Sequence, residues 1–79
     1  MLWTSIPHAY EYWLSCKRMA DPPSDMEHAE RFVLDAHPRT AQDAACILDI
    51  VCANGDDVRA DGLDRAALGR VRSFLLAID

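Results

Sequence analysis

The residues of this 79-residue chain with the types to do chemistry are Cys16, Cys46 and Cys52, His8, His28 and His37, and thirteen carboxylates. A zinc site draws its ligands from close pairs, two to four residues between cysteines or three to five between histidines, so that one short turn aims both at the ion. No cysteine or histidine pair here has that spacing; Cys46 and Cys52 are six apart. On one helix, six residues leave the thiols about a third of a turn apart. The run DVRADGLDRAAL places Asp57, Asp61 and Gly62 at the first, fifth and sixth positions of a calcium loop. Arg59 stands at the third position, and Leu68 stands where a bidentate glutamate is needed. A guanidinium in an oxygen cage excludes the ion, and the missing carboxylate removes its main ligand. Turn residues and helix caps account for that loop better.

Nucleophilic catalysis needs a serine or cysteine beside a histidine that a carboxylate orients. The residue types exist, but no G-x-S-x-G elbow does. Three glycines leave no phosphate-cradling loop. A chain of this length has little room for both a core and a deep pocket. The expectation is a protein that is not an enzyme, with no catalytic residues, no cofactor and no metal.

What remains is binding, and the charge distribution speaks to that. The net charge is −5. From Asp21 to Asp64 eleven acids face Arg31, Arg39 and Arg59, a balance of −8; from Arg65 onward three arginines face only Asp79, a balance of +2. An acidic middle opposes contact with nucleic-acid phosphates and suits a basic partner. Glu27, Glu30 and Asp35, with the loop residues Asp56, Asp57 and Asp61, are the candidate acidic contact surface. Trp3, Tyr12 and Trp13 are the candidate aromatic one, since such rings anchor interfaces, although the same rings also suit the end of a small core. It would suit self-association as a homodimer or a partner helix.

The elements that must position these residues are helices. The fold class read from the pattern is all-α, a small four-helix bundle-like single domain, with helices over about 5–19, 25–36, 41–54 and 63–78. The stretch 40–55, TAQDAACILDIVCANG, is the expected central helix. Thr40 can cap it, with Asp43 three residues on, and Asn54-Gly55 can end it. Ala44, Ile47, Leu48 and Val51 recur as a buried stripe, and apolar girth beyond that stripe demands cover on more than one side.

Upstream, Thr4 or Ser5 can cap the first helix, Pro7 falls in its first turn, and Ile6, Ala9, Tyr10, Trp13, Cys16 and Ala20 form one face. Asp21-Pro22-Pro23 breaks the chain. Ser24 and Glu27 form an S-x-x-E box that starts the second helix, whose buried face is Met26, Ala29, Phe32, Val33 and Ala36. Glu27, Glu30, Arg31 and Asp35 are expected to face water. His37-Pro38 ends that helix.

Downstream, Asp61 or Asp64 caps the last helix. Ala67, Leu68, Val71, Phe74, Leu75 and Ile78 make its regular, heptad-like stripe. Gly69 sits inside that helix at about 1 kcal/mol relative to alanine, which suggests close approach of another helix.

An odd cysteine count without C-x-x-C reads as reduced thiols in a cytoplasmic protein. The N-terminus lacks the basic and apolar regions of a signal peptide. No apolar run approaches the roughly 18 residues of a membrane span.

The second and third helices, joined by HPRT, could be drawn as a helix-turn-helix, which makes a DNA-binding regulator the alternative reading. The reading helix must show Arg, Lys, Asn or Gln to base edges. Between Thr40 and Asn54 it offers Gln42, Asp43 and Asp49 and no basic residue, so direct nucleic-acid binding is not expected. If the last helix were the reader, Arg65, Arg70 and Arg72 would carry it.

The run from Ala36 to Leu75, with its A-H-P-R-T turn, alanine-rich helix, acidic linker and final apolar helix, resembles short all-helical proteins of alphaproteobacterial genomes, some in prophage-like neighbourhoods. The resemblance rests on the P-x-T helix start and covers about half the chain. It implies no activity and no site residues. It implies a mobile-element product, such as a small inhibitor or adaptor that binds a host protein. The expected function is therefore a small acidic protein–protein interaction module with a protein partner, a basic surface being the complement of its charge. An anti-CRISPR-like inhibitor is one concrete form.

Overall fold

The computed structural model describes residues 3–54 and 62–78. Four helices follow one another: α1 (Ile6–Lys17), α2 (Asp25–Asp35), α3 (Ala41–Asn54) and α4 (Leu63–Ala77). No strand occurs among the described residues. The protein is a small all-α four-helix bundle.

Local chemistry explains most of the helix starts. Ser5 lies in extended backbone, and its hydroxyl accepts from the His8 amide at 3.2 Å, with Pro7 inside the first turn. Thr40 Oγ1 accepts from the Asp43 amide at 3.1 Å, and Asp43 reaches back to accept from the Arg39 amide at 3.0 Å. That reciprocal pair satisfies two amides at the entry to α3.

The Ser24 box does not form as expected. Ser24 is itself in helical backbone, and its side chain makes no capping bond. The amides of Met26 and Glu27 bond instead to the carbonyls of Pro23 and Ser24. The chain enters α2 through a tight i+3 turn, so backbone oxygens do the work given to the serine. Asp64 is not the cap of α4. Its N-cap is Gly62, held at φ 73°, a left-handed conformation that glycine adopts without strain. Asp64 lies one residue inside the helix, buried, its carboxylate accepting from the Arg65 amide at 2.8 Å. Asp61 lies outside the described residues.

Packing shifts the centre of the molecule. Both α2 and α3 touch all three other helices, while α1 and α4 do not pack on one another. The most extensive pairing is α1 on α2, so α3 shares the central place it was expected to hold alone. Its buried side chains are Ala44, Cys46, Ile47 and Ile50; Leu48 and Val51 are only half-buried, and Ala41, Ala45 and Cys52 are exposed. In α2 the buried set is Ala29, Glu30, Val33 and Leu34, with Met26 and Phe32 half-buried. Cover from both α1 and α4 widens the buried arc of α2 until it takes in Leu34 and the carboxylate of Glu30. One continuous core results, running from Trp3, Ile6 and Trp13 through Val33 and Leu34 to Ile47, Ile50, Ala67 and Val71.

A single side chain fixes α4 against α2. The Arg70 guanidinium donates to the Ala36 carbonyl at 3.2 Å and also to the Leu34 carbonyl. The last turn of α2 carries no basic residue of its own. Arg70 therefore satisfies unpaired carbonyls and complements the negative end of the helix from outside.

Candidate functional site

The expected contact residues fall into different places. Glu27 and Asp35 are exposed on α2. Glu30 is buried, 9% exposed, and its Oε1 accepts from Trp13 Nε1 at 3.0 Å. The expectation that Glu30 faces water is corrected. It sits between α1 and α2, where its carboxylate satisfies the indole N–H, a donor that burial otherwise penalises. Asp56, Asp57 and Asp61 lie outside the described residues.

The aromatic surface is also corrected. Trp13 is 2% exposed and Trp3 is 7% exposed. Trp3 packs between Tyr12 and Phe32, with ring centroids at 5.6 and 5.9 Å in tilted geometry. Trp13 lies beside Tyr10 at 6.1 Å, and the Lys17 ammonium sits 4.9 Å from its ring centre. Trp3 and Trp13 fill the core between α1 and α2; Tyr10, Tyr12 and Phe32, half-buried, keep an outward edge.

Charge on the described surface is mixed. With Glu30 and Asp64 buried, seven acids remain outside the core (Glu11, Asp21, Asp25, Glu27, Asp35, Asp43, Asp49). They stand against Lys17, Arg18 and five arginines, seven cations in all. Asp43 and Asp49 are also engaged internally, Asp43 at the α3 cap and Asp49 as acceptor of the Tyr10 hydroxyl. That contact, together with burial and the charge of the carboxylate, pushes the Tyr10 phenol up to about 12. On α2, Glu27, Arg31 and Asp35 alternate in sign along one face.

The feature that the sequence pattern did not isolate is the outer side of α4. Ala67 and Val71 are buried and Phe74 half-buried, but Leu68 and Leu75 are 41% and 45% exposed and Leu76 is 62% exposed. The expected single seam is thus two. At roughly 100° per residue, Arg65, Leu68, Gly69, Arg72, Leu75 and Leu76 fall within an arc of about 120° that points away from the core arc of Ala67, Val71 and Phe74. Ile78 is exposed for a different reason: it lies on the core side, past the end of the helix. Gly69 has no atom of the described residues within 4 Å of where a side-chain carbon would stand, so none of the four helices approaches it. The expected close neighbour at Gly69 is not found among the described residues. Arg65 and Arg72 make no side-chain hydrogen bond or ion pair with any described residue.

A cleft of about 700 Å³ lies at the other side of α2, walled by Trp3, Phe32, Ala36 and Leu63 with His28, Arg31 and Asp35 at its rim. It is open and shallow in polar groups, and the only described ion pair beside it joins His28 to Asp25 at 3.5 Å. Among the described residues no group of His, Cys, Asp and Glu is placed to hold a metal ion, and no helix is long and apolar enough to cross a membrane. Cys16 and Cys46 are buried and Cys52 is exposed, all as free thiols; burial pushes the Cys46 thiol up, with Asp43, Glu11 and Asp49 adding.

No protein-family model matches the chain, and comparison with curated proteins and with solved structures finds no match.

Proposed function

We propose that this chain is a protein-interaction module whose contact surface is the outer face of α4. The observation that supports the reading is the exposure of Leu68 and Leu75 along the flank of the α4 core stripe and of Leu76 on the far side of the helix. Single exposed leucines are ordinary, whereas a helical stripe of them between charged residues is the form a docking face takes. An adaptor and an inhibitor that occupies a host protein's surface would use such a face in the same way.

The acidic surface contributes less to this reading than the charge total suggested, because the described exterior balances its acids with cations. The regulator reading is weakened too. Arg70, one of three arginines that would read DNA from α4, is committed to the carbonyls of α2. Arg65 and Arg72 flank leucines rather than groups that hydrogen-bond base edges.

The test is affinity capture with the wild-type chain, a Leu75→Glu/Leu76→Glu variant and a Glu27→Gln/Asp35→Asn variant, each shown to be folded by circular dichroism. Capture of one defined protein that fails only with the leucine variant supports the reading. Capture that fails only with the acid variant and at high salt returns the contact to the acidic surface. A gel shift of duplex DNA at low salt that survives the leucine changes favours the regulator.

A further inference from the structure

The outer stripe of α4 carries information about what covers it, because its charges and its shape are both one-sided. Along the stripe run Arg65, Leu68, Gly69, Arg72, Leu75 and Leu76. Every charged residue among them is cationic. The two arginines are seven residues apart, which sets them about 10 Å apart along the axis, on one side of the helix. Leucines lie between and beyond them at the spacing of a helix-pairing seam. At one edge of the stripe, where α4 borders the cleft lined by His37, Pro38 and Ser73, Gly69 leaves a notch, with open space where any other residue would place a side chain.

From these features we infer that the occupant of the α4 face is an amphipathic helix of another protein, bearing carboxylates two turns apart beside apolar positions. The inference rests on the reading of α4 as the contact face and adds the chemistry of the partner. Three arguments select this occupant. First, a desolvated guanidinium needs an acceptor, and the stripe contains none. Two copies related by a two-fold axis present the same patch to each other, so a second copy meeting this face with its own would bring more arginine and leucine and no carboxylate. Second, a helix seats a side chain in the notch at Gly69, as a knob enters a hole between neighbouring residues. A lipid surface is smooth and has no use for a notch. Third, the leucines project beyond the bundle on a rigid helix that is anchored from behind by Arg70, so the face is already formed before a partner arrives and little ordering is needed on docking.

The decisive experiment is selection from a displayed library of single helical peptides of about three heptads, with the residues of one face randomised. The bait is the full chain, alongside Leu75→Glu/Leu76→Glu and Arg65→Glu/Arg72→Glu variants whose folding is checked by circular dichroism. The expected winners carry Asp or Glu seven residues apart next to leucine or isoleucine. They lose binding to the leucine variant and bind the arginine variant roughly tenfold more weakly. The same selection on the arginine variant should enrich lysine and arginine at those positions.

Winners that depend on Leu75 and Leu76 but show no enrichment of acids overturn the partner chemistry and leave the α4 face standing as the contact. Winners indifferent to the leucines, or no winners, overturn both. Two companion measurements dispose of the rival occupants. Sedimentation of the chain alone should show a monomer, and a dimer abolished by Leu75→Glu/Leu76→Glu overturns the inference in favour of a second copy. Flotation with vesicles of phosphatidylglycerol should leave the chain unbound, and leucine-dependent flotation overturns it in favour of an anionic membrane surface.

Discussion

The α1–α2 pair and the outer face of α4 are both rich in large apolar side chains, and the chain treats them in opposite ways. Between α1 and α2, Trp13 is enclosed, its N–H is bonded to Glu30, and Trp3 is held between two further rings. On α4, Leu68, Leu75 and Leu76 stand in solvent with two unpaired arginines beside them. Polar groups near the first region are consumed internally; those near the second are left over. An apolar stripe says that a face seeks cover. Whether the cover comes from the same chain depends on how many helices there are to supply it. Here α3 and α2 cover one side of α4, and no fifth helix among the described residues is available for the other.

This contrast can be broken or sharpened by substitution. The largest effect should come from Trp13→Ala, which removes the biggest fully buried side chain. It should lower stability by about 3–5 kcal/mol in urea melts, a large share of the roughly 4–12 kcal/mol expected for a domain of this length. A loss below 1 kcal/mol would mean that the α1–α2 interior is not the rigid half. Next, Glu30→Ala should cost about 1–3 kcal/mol, because the indole N–H of Trp13 loses its acceptor inside the core. The Glu30→Gln variant should recover most of that, since an amide oxygen can accept the same bond; failure to recover would assign the effect to charge instead of hydrogen bonding.

On the other side of the comparison, Gly69→Ala should raise stability by up to about 1 kcal/mol, seen as a higher melting temperature. The position is helical and open, so the added methyl meets nothing in the isolated chain. The Leu75→Ser/Leu76→Ser change should move stability by only about 0.5 kcal/mol either way. A destabilisation like that of Trp13→Ala would show that the α4 face is covered within the chain.

The smallest effect concerns the junction of α1 and α3. The Tyr10 phenol, ordinarily at 10.0, is raised to about 12 by the hydrogen bond that it donates to Asp49. Its folded value lies above its unfolded one, so the contact contributes fully below pH 10 and is lost as the pH rises through 12. Ultraviolet titration should show one tyrosine ionising late, and Asp49→Asn should bring it back toward 10.

Much of the scaffold was legible because its signals are local. Ser5 and Thr40 cap as their side chains and spacing require, and Asp43 completes the entry to α3. Ser24 misled because two prolines set up a turn whose carbonyls satisfied the amides first. The candidate site was less legible. Glu30 was read as surface from residue type, while Trp3 and Trp13 fitted either a core end or a contact patch, and packing of α1 on α2 enclosed all three. The stripe of α4 was read as one seam because Leu68 and Leu75 fit the same heptad register as Ala67 and Phe74. Periodicity alone cannot divide a broad apolar helix between a covered side and an open one.

The sequence by itself determined the four helices, most of their ends and the all-α class, since capping, proline breaks and the 3.6-residue period act between near neighbours in the chain. Only the tertiary structure decided which apolar residues are core and which are left to meet a partner. Burial depends on what lies across the interface, and residues such as Trp13 and Glu30, or Arg70 and Leu34, meet only because separate helices pack. The helix 40–55 that the composition placed at the centre turned out to share that place with α2, and the outer face of α4 became the surface on which a function can be tested.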